Sequence, residues 1–126
     1  MSERLRGVVM AHADLGTALV EAVRVIAGDE AGLAPVSNAG CDRAVLAERL
    51  EAAVSGGPAL VFTDLAGGSC TTVAVTVARG RADVRVVAGV NLAMLLEFAL
   101  HRDEAPDAAA ERAAAAGRAA VREVPR

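Results

Sequence analysis

Short apolar runs alternate with windows of helical spacing along the chain. The first run, Gly7-Val8-Val9-Met10-Ala11, closes at His12 and predicts a strand over about residues 6–11. From Gly16 onward Leu19, Val23 and Ile26 recur at helical spacing, and Gly28 is placed to stop that helix. Leu33 to Val36 reads as a short second strand, followed by a Ser37-Asn38-Ala39-Gly40 loop. Asp42 suits the N-cap of a helix carrying Val45, Leu46, Leu50 and Val54 and ending at Gly56. Ala59 to Thr63 is apolar throughout, as a strand buried on both faces should be. Residues 69–78 pull two ways, because Thr71, Thr72, Val73, Val75, Thr76 and Val77 are β-branched and favour strand. A strand there would make Gly67-Gly68 a turn between two strands and break the alternation, so a helix is expected. Val84 to Ala88 predicts a fourth strand. Asn91 suits the N-cap of a helix bearing Leu92, Leu95, Leu96 and Phe98. Pro106 can begin a last helix, to which Ala108 to Ala116 lend propensity. Val121 to Val124 would form a short closing strand at a sheet edge.

That alternation predicts an α/β fold: a doubly wound, mainly parallel four-stranded sheet in the order 2-1-3-4, with helices on both faces. A C-terminal antiparallel edge strand would complete it. At 126 residues the chain is expected to form one domain, 1–126, with no repeat or linker.

Composition narrows the partners. Phe62 and Phe98 are the only aromatic residues, so the faces on which bases or sugar rings stack are missing. The net charge is −3, and no basic stripe exists to neutralise phosphates, which argues against nucleic acid. Cys41 and Cys70 have no CxxC spacing, and Met1 to Arg6 lacks the apolar stretch of a signal peptide. No apolar run approaches the ~18 residues of a membrane helix. A reduced, cytoplasmic protein is the expectation. Two histidines and isolated cysteines give no zinc spacing, and no cofactor is called for.

In an open α/β sheet, ligands gather outside the carboxyl ends of the strands where the strand order reverses. Three segments land there: His12-Ala13-Asp14, Asp64 to Ser69, and Gly89-Val90-Asn91. With strands one and three adjacent, roughly 5 Å apart, His12 and Asp64 become neighbours. A carboxylate accepting one ring N–H fixes the imidazole tautomer and leaves the other nitrogen as a nucleophile. Gly67 and Gly68 would let the backbone approach closely. Ser69 and the N–H groups after it would offer an anion site at a helix N-terminus. Plainer roles exist for the same residues. His12 can be a loop residue, and Asp64 or Asn91 can cap the following helix. Gly-Gly-Ser is neither a GxGxxG fingerprint nor a P-loop. His101, beside Arg102 and Asp103, fits dipole compensation at a helix end. Cys70 reads as a small core residue.

At these positions the sequence resembles the IIA components of the mannose/fructose/sorbose class of the bacterial phosphotransferase system. The matching segments are Val8-Val9-Met10-Ala11-His12, Phe62-Thr63-Asp64-Leu65-Ala66-Gly67-Gly68-Ser69 and Ala88-Gly89-Val90-Asn91-Leu92-Ala93-Met94-Leu95. The resemblance implies a cytoplasmic phosphotransferase that accepts a phosphoryl group on His12 from the phosphocarrier protein HPr and passes it to a separate IIB subunit. It implies Asp64 as the orienting acceptor, with Ser69 and nearby backbone N–H groups holding the phosphate; Gly67, Gly68 and Asn91 are the further candidates for phosphate contact. It further implies a homodimer that exchanges the Val121 to Val124 strand and meets the membrane only through the transporter complex. The family often has Gly, Trp and Pro where this chain has Ala13, Leu65 and Cys70, all on the surface that meets partners. Two other readings compete. One is a regulatory interaction module whose phosphorylation state signals without sugar transport. The other is a flavodoxin-like binder of a nucleotide or flavin, disfavoured by the shortage of aromatics.

Overall fold

A computed structural model describes residues 4–126, so Met1 to Glu3 of the N-terminal reading lie outside it. The elements run β1 (Arg6–Ala11), α1 (Leu15–Ala27), β2 (Leu33–Ser37), α2 (Arg43–Val54), β3 (Ala59–Thr63), α3 (Ser69–Arg79), β4 (Val84–Ala88), α4 (Leu92–Leu100) and α5 (Pro106–Ala119). Four strands form one sheet in the order β2-β1-β3-β4, as the pattern predicts, and every pairing among them is parallel.

Burial explains the order. β3 is buried along its whole length and β1 from Gly7 onward, so these continuous apolar runs take the centre. β2 and β4 mix buried and exposed positions and take the edges. Side-chain alternation then divides the core in two. Val8, Met10 and Val61 pack with Leu46, Leu50, Val73 and Val77 under α2 and α3. Val9, Leu60 and Phe62 pack with Val23, Leu95, Phe98 and Ala113 under α1, α4 and α5. In that second layer Phe62 and Phe98 meet edge to face, with ring centroids 5.3 Å apart.

Local chemistry sets the helix ends. Asp42 accepts from the Val45 N–H at 3.0 Å, and Asn91 accepts from the Met94 N–H at 3.0 Å. Pro106 opens α5. The β-branched segment is helical, as the alternation requires: the Thr72 and Thr76 hydroxyls bond back to the carbonyls of Gly68 and Thr72. Gly117 lets α5 lie close on α4, because a Cβ there would sit 2.7 Å from Met94 Cε.

The closing strand is not formed within the chain. After Ala120, residues 121–126 carry no strand pairing, and Val121 and Val124 are 77% and 76% exposed. A strand needs a hydrogen-bonded neighbour, and no strand of the same chain reaches this segment. β4 keeps an open outer edge beside α5. Among the described residues no helix is long and apolar enough to cross a membrane.

Candidate functional site

The parallel register of β1 and β3 pairs Met10 with Thr63, which brings the two strand exits side by side. His12 follows the last residue of β1, and Asp64 follows the last residue of β3. Asp64 Oδ2 lies 2.8 Å from His12 Nδ1 and also accepts the His12 backbone N–H at 3.0 Å. One carboxylate oxygen thus fixes both the main chain and the ring of the histidine. Asp64 is not the cap of α3; Gly68 holds that position.

Electrostatics keep the pair in this state. Burial alone would raise the Asp64 carboxyl. The bonds from the His12 backbone N–H and imidazole, with attraction to the ring, outweigh burial and hold it below its ordinary value. An ionised Oδ2 can only accept, so Nδ1 carries a proton, and in the neutral ring the lone pair lies on Nε2. The Asp64 side chain is 11% exposed and that of His12 44%, so the acceptor is sheltered while the imidazole faces solvent.

Both loops are pinned. Thr63, buried and polar, has its hydroxyl 2.6 Å from that of Thr71. Thr71 in turn donates to the Leu65 carbonyl, which links the end of β3, the turn and the first turn of α3. The Thr63 carbonyl accepts the Val90 N–H at 3.0 Å, which brings in the turn after β4. On the other side, Ala13 has φ +50°, a left-handed conformation uncommon for alanine. Asn38 Oδ1 accepts the Ala13 N–H at 3.3 Å, and the Ser37 hydroxyl donates to the Ala13 carbonyl at 2.9 Å. Sequence reasoning missed Ser37, Asn38, Thr63 and Thr71; two threonines at a strand end and a helix start were the available signal.

The remaining predicted residues divide. Gly68 abuts the ring: a Cβ there would lie 3.4 Å from His12 Cε1, the carbon between the two nitrogens. Gly67 is exposed, with open space where its side chain would be. Ser69 is the first residue of α3. The first-turn N–H groups of that helix have no intrahelical partner and carry the positive end of its dipole. Asn91 does not join them. Its Oδ1 caps α4, and its Nδ2 donates to the Gly117 carbonyl at 3.0 Å, so both ends of the amide hold the fold. His101 lies at the C-terminal end of α4, 2.9 Å from Glu97, as the helix-end reading expects. Cys70 is fully buried, so it is a core residue and does not stand on the surface that meets partners, where the family pattern puts it; its sulfur nonetheless lies beside the His12–Asp64 pair.

The sequence model of the family described as "PTS system fructose IIA component" matches residues 7–116. Among solved structures, the mannose/sorbose-specific IIA subunit of the phosphotransferase system from Enterococcus faecalis is similar, at 30% identity and a TM-score of 0.90, over 98% of this chain and 96% of that one. Phosphotransferase system component EIIA from Streptococcus agalactiae shares the fold at 23% identity and a TM-score of 0.88, over 94% and 96% of the two chains. A sigma-54 interaction domain protein from Enterococcus faecalis shares it at 10% identity and a TM-score of 0.80, over 94% of each chain. Comparison with curated proteins gives no match.

Proposed function

The chain belongs to the fructose IIA component family of the phosphotransferase system, and on that premise we propose that His12 is its phosphoryl carrier. The carrying observation is the 2.8 Å contact that ties Nδ1 to Asp64 and leaves Nε2 free. Nε2 attacks the phosphorus of phospho-HPr; the N–P bond to the donor breaks as the new one forms. The Nδ1 proton stays on the ring, and the sheltered Asp64 carboxylate offsets the positive charge that develops there. Gly67, Gly68, Ser69 and the amides of the first turn of α3 receive the phosphate oxygens, as a helix N-terminus can. A IIB partner then takes the group by the reverse displacement.

Exposure supports this reading. Two proteins must reach the same atom in turn, and the imidazole stands open. Leu15 and Leu65, each within three residues of the pair, are 44% and 58% exposed and offer an apolar rim for docking. The whole chain, 1–126, then acts as one cytoplasmic IIA domain. A homodimer fits the open edge of β4, where β4 and α5 line a groove of about 670 Å³ beside Val86, Ala110, Ala114 and Arg118. The exposed Val121 to Val124 segment of a second copy is the proposed strand for that edge.

Incubation with phosphoenolpyruvate, enzyme I and HPr, followed by phosphohistidine mapping, tests the carrier role. Label is expected on His12 and absent from His12→Ala. No label on His12, or equal label on the variant, overturns it. Label that HPr supplies but no IIB protein removes would favour a regulatory module over a transport component.

A further inference from the structure

Three kinds of metal-binding donor converge at the sheet edge. An imidazole nitrogen of His12, a carboxylate oxygen of Asp64 and the Cys70 sulfur all lie within 4.8 Å of one another. They come from three elements: the exit of β1, the exit of β3 and the first turn of α3. Their positions in sequence, 12, 64 and 70, conceal the cluster; only the β1–β3 register and the turn into α3 assemble it.

A second observation points the same way. Asp64 Oδ1 is buried and has no hydrogen-bond partner among the described residues. A buried carboxylate oxygen is costly unless something pairs with it, and a cation is one such partner. Cys70 closes the inner side of the cluster, being fully buried. The His12 side chain, 44% exposed, opens the outer side of the cluster to solvent.

We infer that His12, Asp64 and Cys70 form a binding site for a borderline-soft divalent metal ion of the zinc type, and that an ion bound there blocks phosphoryl uptake by His12. The blocking half rests on the carrier role proposed above; the binding half does not. One nitrogen, one oxygen and one thiolate with a fourth, open position is a donor set that zinc accepts. Ligand distances of about 2.0–2.3 Å require the three donors to draw slightly together, and the exposed His12 side chain is free to move. Binding forms a metal–sulfur bond and releases the thiol proton to solvent; where the ion takes Nδ1, the proton on that nitrogen passes to Nε2, and no oxidant or reductant is involved. The ion takes an imidazole lone pair and the Asp64 charge, the two things that phosphoryl transfer to His12 needs.

Cobalt(II) is the probe, titrated into the reduced, full-length chain, because a thiolate bound to cobalt has an intense near-ultraviolet absorption. One cobalt per chain with that absorption is expected. Zinc should displace it. Cys41→Ala should keep the absorption, whereas Cys70→Ala should lose it and bind cobalt at least about tenfold more weakly. Wild-type protein without the thiolate absorption overturns the inference even where the variant fails to fold, as does Cys70→Ala binding cobalt as well as wild type. In a second arm, zinc should suppress labelling of His12 in wild type, and a chelator should restore it. Labelling that zinc leaves unchanged overturns the blocking half. If His12 takes no label without metal, the carrier role fails while the cobalt titration still decides the metal site.

Discussion

Among the described residues both histidines face carboxylates, and the two arrangements are built in opposite ways. His12 meets Asp64 across 52 residues of sequence, through the parallel pairing of two central strands. His101 meets Glu97 and Glu104 locally, at the end of α4, with Nε2 2.9 Å from one and Nδ1 3.8 Å from the other. Both ring nitrogens of His101 therefore face carboxylates, and neither is left to attack anything. Arg112 also shares those carboxylates: it bonds Glu104 at 2.6 Å and lies 3.9 Å from Glu97. Its bond to Glu104 holds that carboxyl below its ordinary value. At the sheet edge the carboxylate is sheltered, serves the histidine alone and occupies one nitrogen only. The contrast shows that an imidazole beside an acid is not by itself a site. What matters is one nitrogen held, one nitrogen free, and an acceptor withdrawn from water.

The sharpest way to break this contrast is Asp64→Asn. The amide can present its N–H to Nδ1 and favour the wrong tautomer, so phosphoryl uptake by His12 should slow by about 10²–10⁴-fold, read as the initial rate of labelling from phospho-HPr. The same variant has a signature in acid. Because the folded state holds the Asp64 carboxyl below its ordinary value, the ionised group stabilises the fold at and above the ordinary carboxylate range. That contribution disappears as pH falls through the folded-state value. Wild type should lose stability over this range more steeply than Asp64→Asn in urea titrations at stepped pH.

Asn91→Ala separates cap from ligand. Losing the α4 cap and the bond to the Gly117 carbonyl should lower stability by about 1–2 kcal/mol in denaturant unfolding, with little change in labelling of the folded protein. Ala13→Gly should act in the other direction. It relieves a left-handed alanine and should raise stability by about 0.5–1 kcal/mol, seen as a higher unfolding midpoint. His101→Gln should give the smallest effect, with labelling within about twofold of wild type and stability within about 1 kcal/mol. A large loss of labelling in that variant would erase the distinction between the two pairs.

Much of the fold was legible from the apolar pattern. β1 and β3 appear as unbroken apolar runs because both faces are buried; Asp42 and Asn91 mark helix starts through cap bonds made three residues ahead, and Pro106 marks one through its fixed φ. α3 was harder, since its β-branched residues argue for strand and only the alternation of elements argues for helix. The His12–Asp64 contact was legible once the strand order was. Less visible were contacts that depend on tertiary geometry alone. The second bond of Asn91 reaches 26 residues ahead, to a carbonyl that only the packing of α5 on α4 brings near. Cys70 reads as core because it is core, and burial does not reveal that its sulfur faces the site. The left-handed turn at Ala13 has no glycine to announce it. Val121 to Val124 has strand-like residues, but a strand also needs a neighbour, which one sequence cannot show.

The most direct test is nitrogen-resolved NMR of ring-labelled protein after phosphorylation by phosphoenolpyruvate, enzyme I and HPr. Phosphorus bonded to Nε2 of His12, with Nδ1 still protonated and hydrogen-bonded, is the expected result. Phosphorus on Nδ1, or on any other residue, would contradict the role assigned to Asp64 and with it the carrier site.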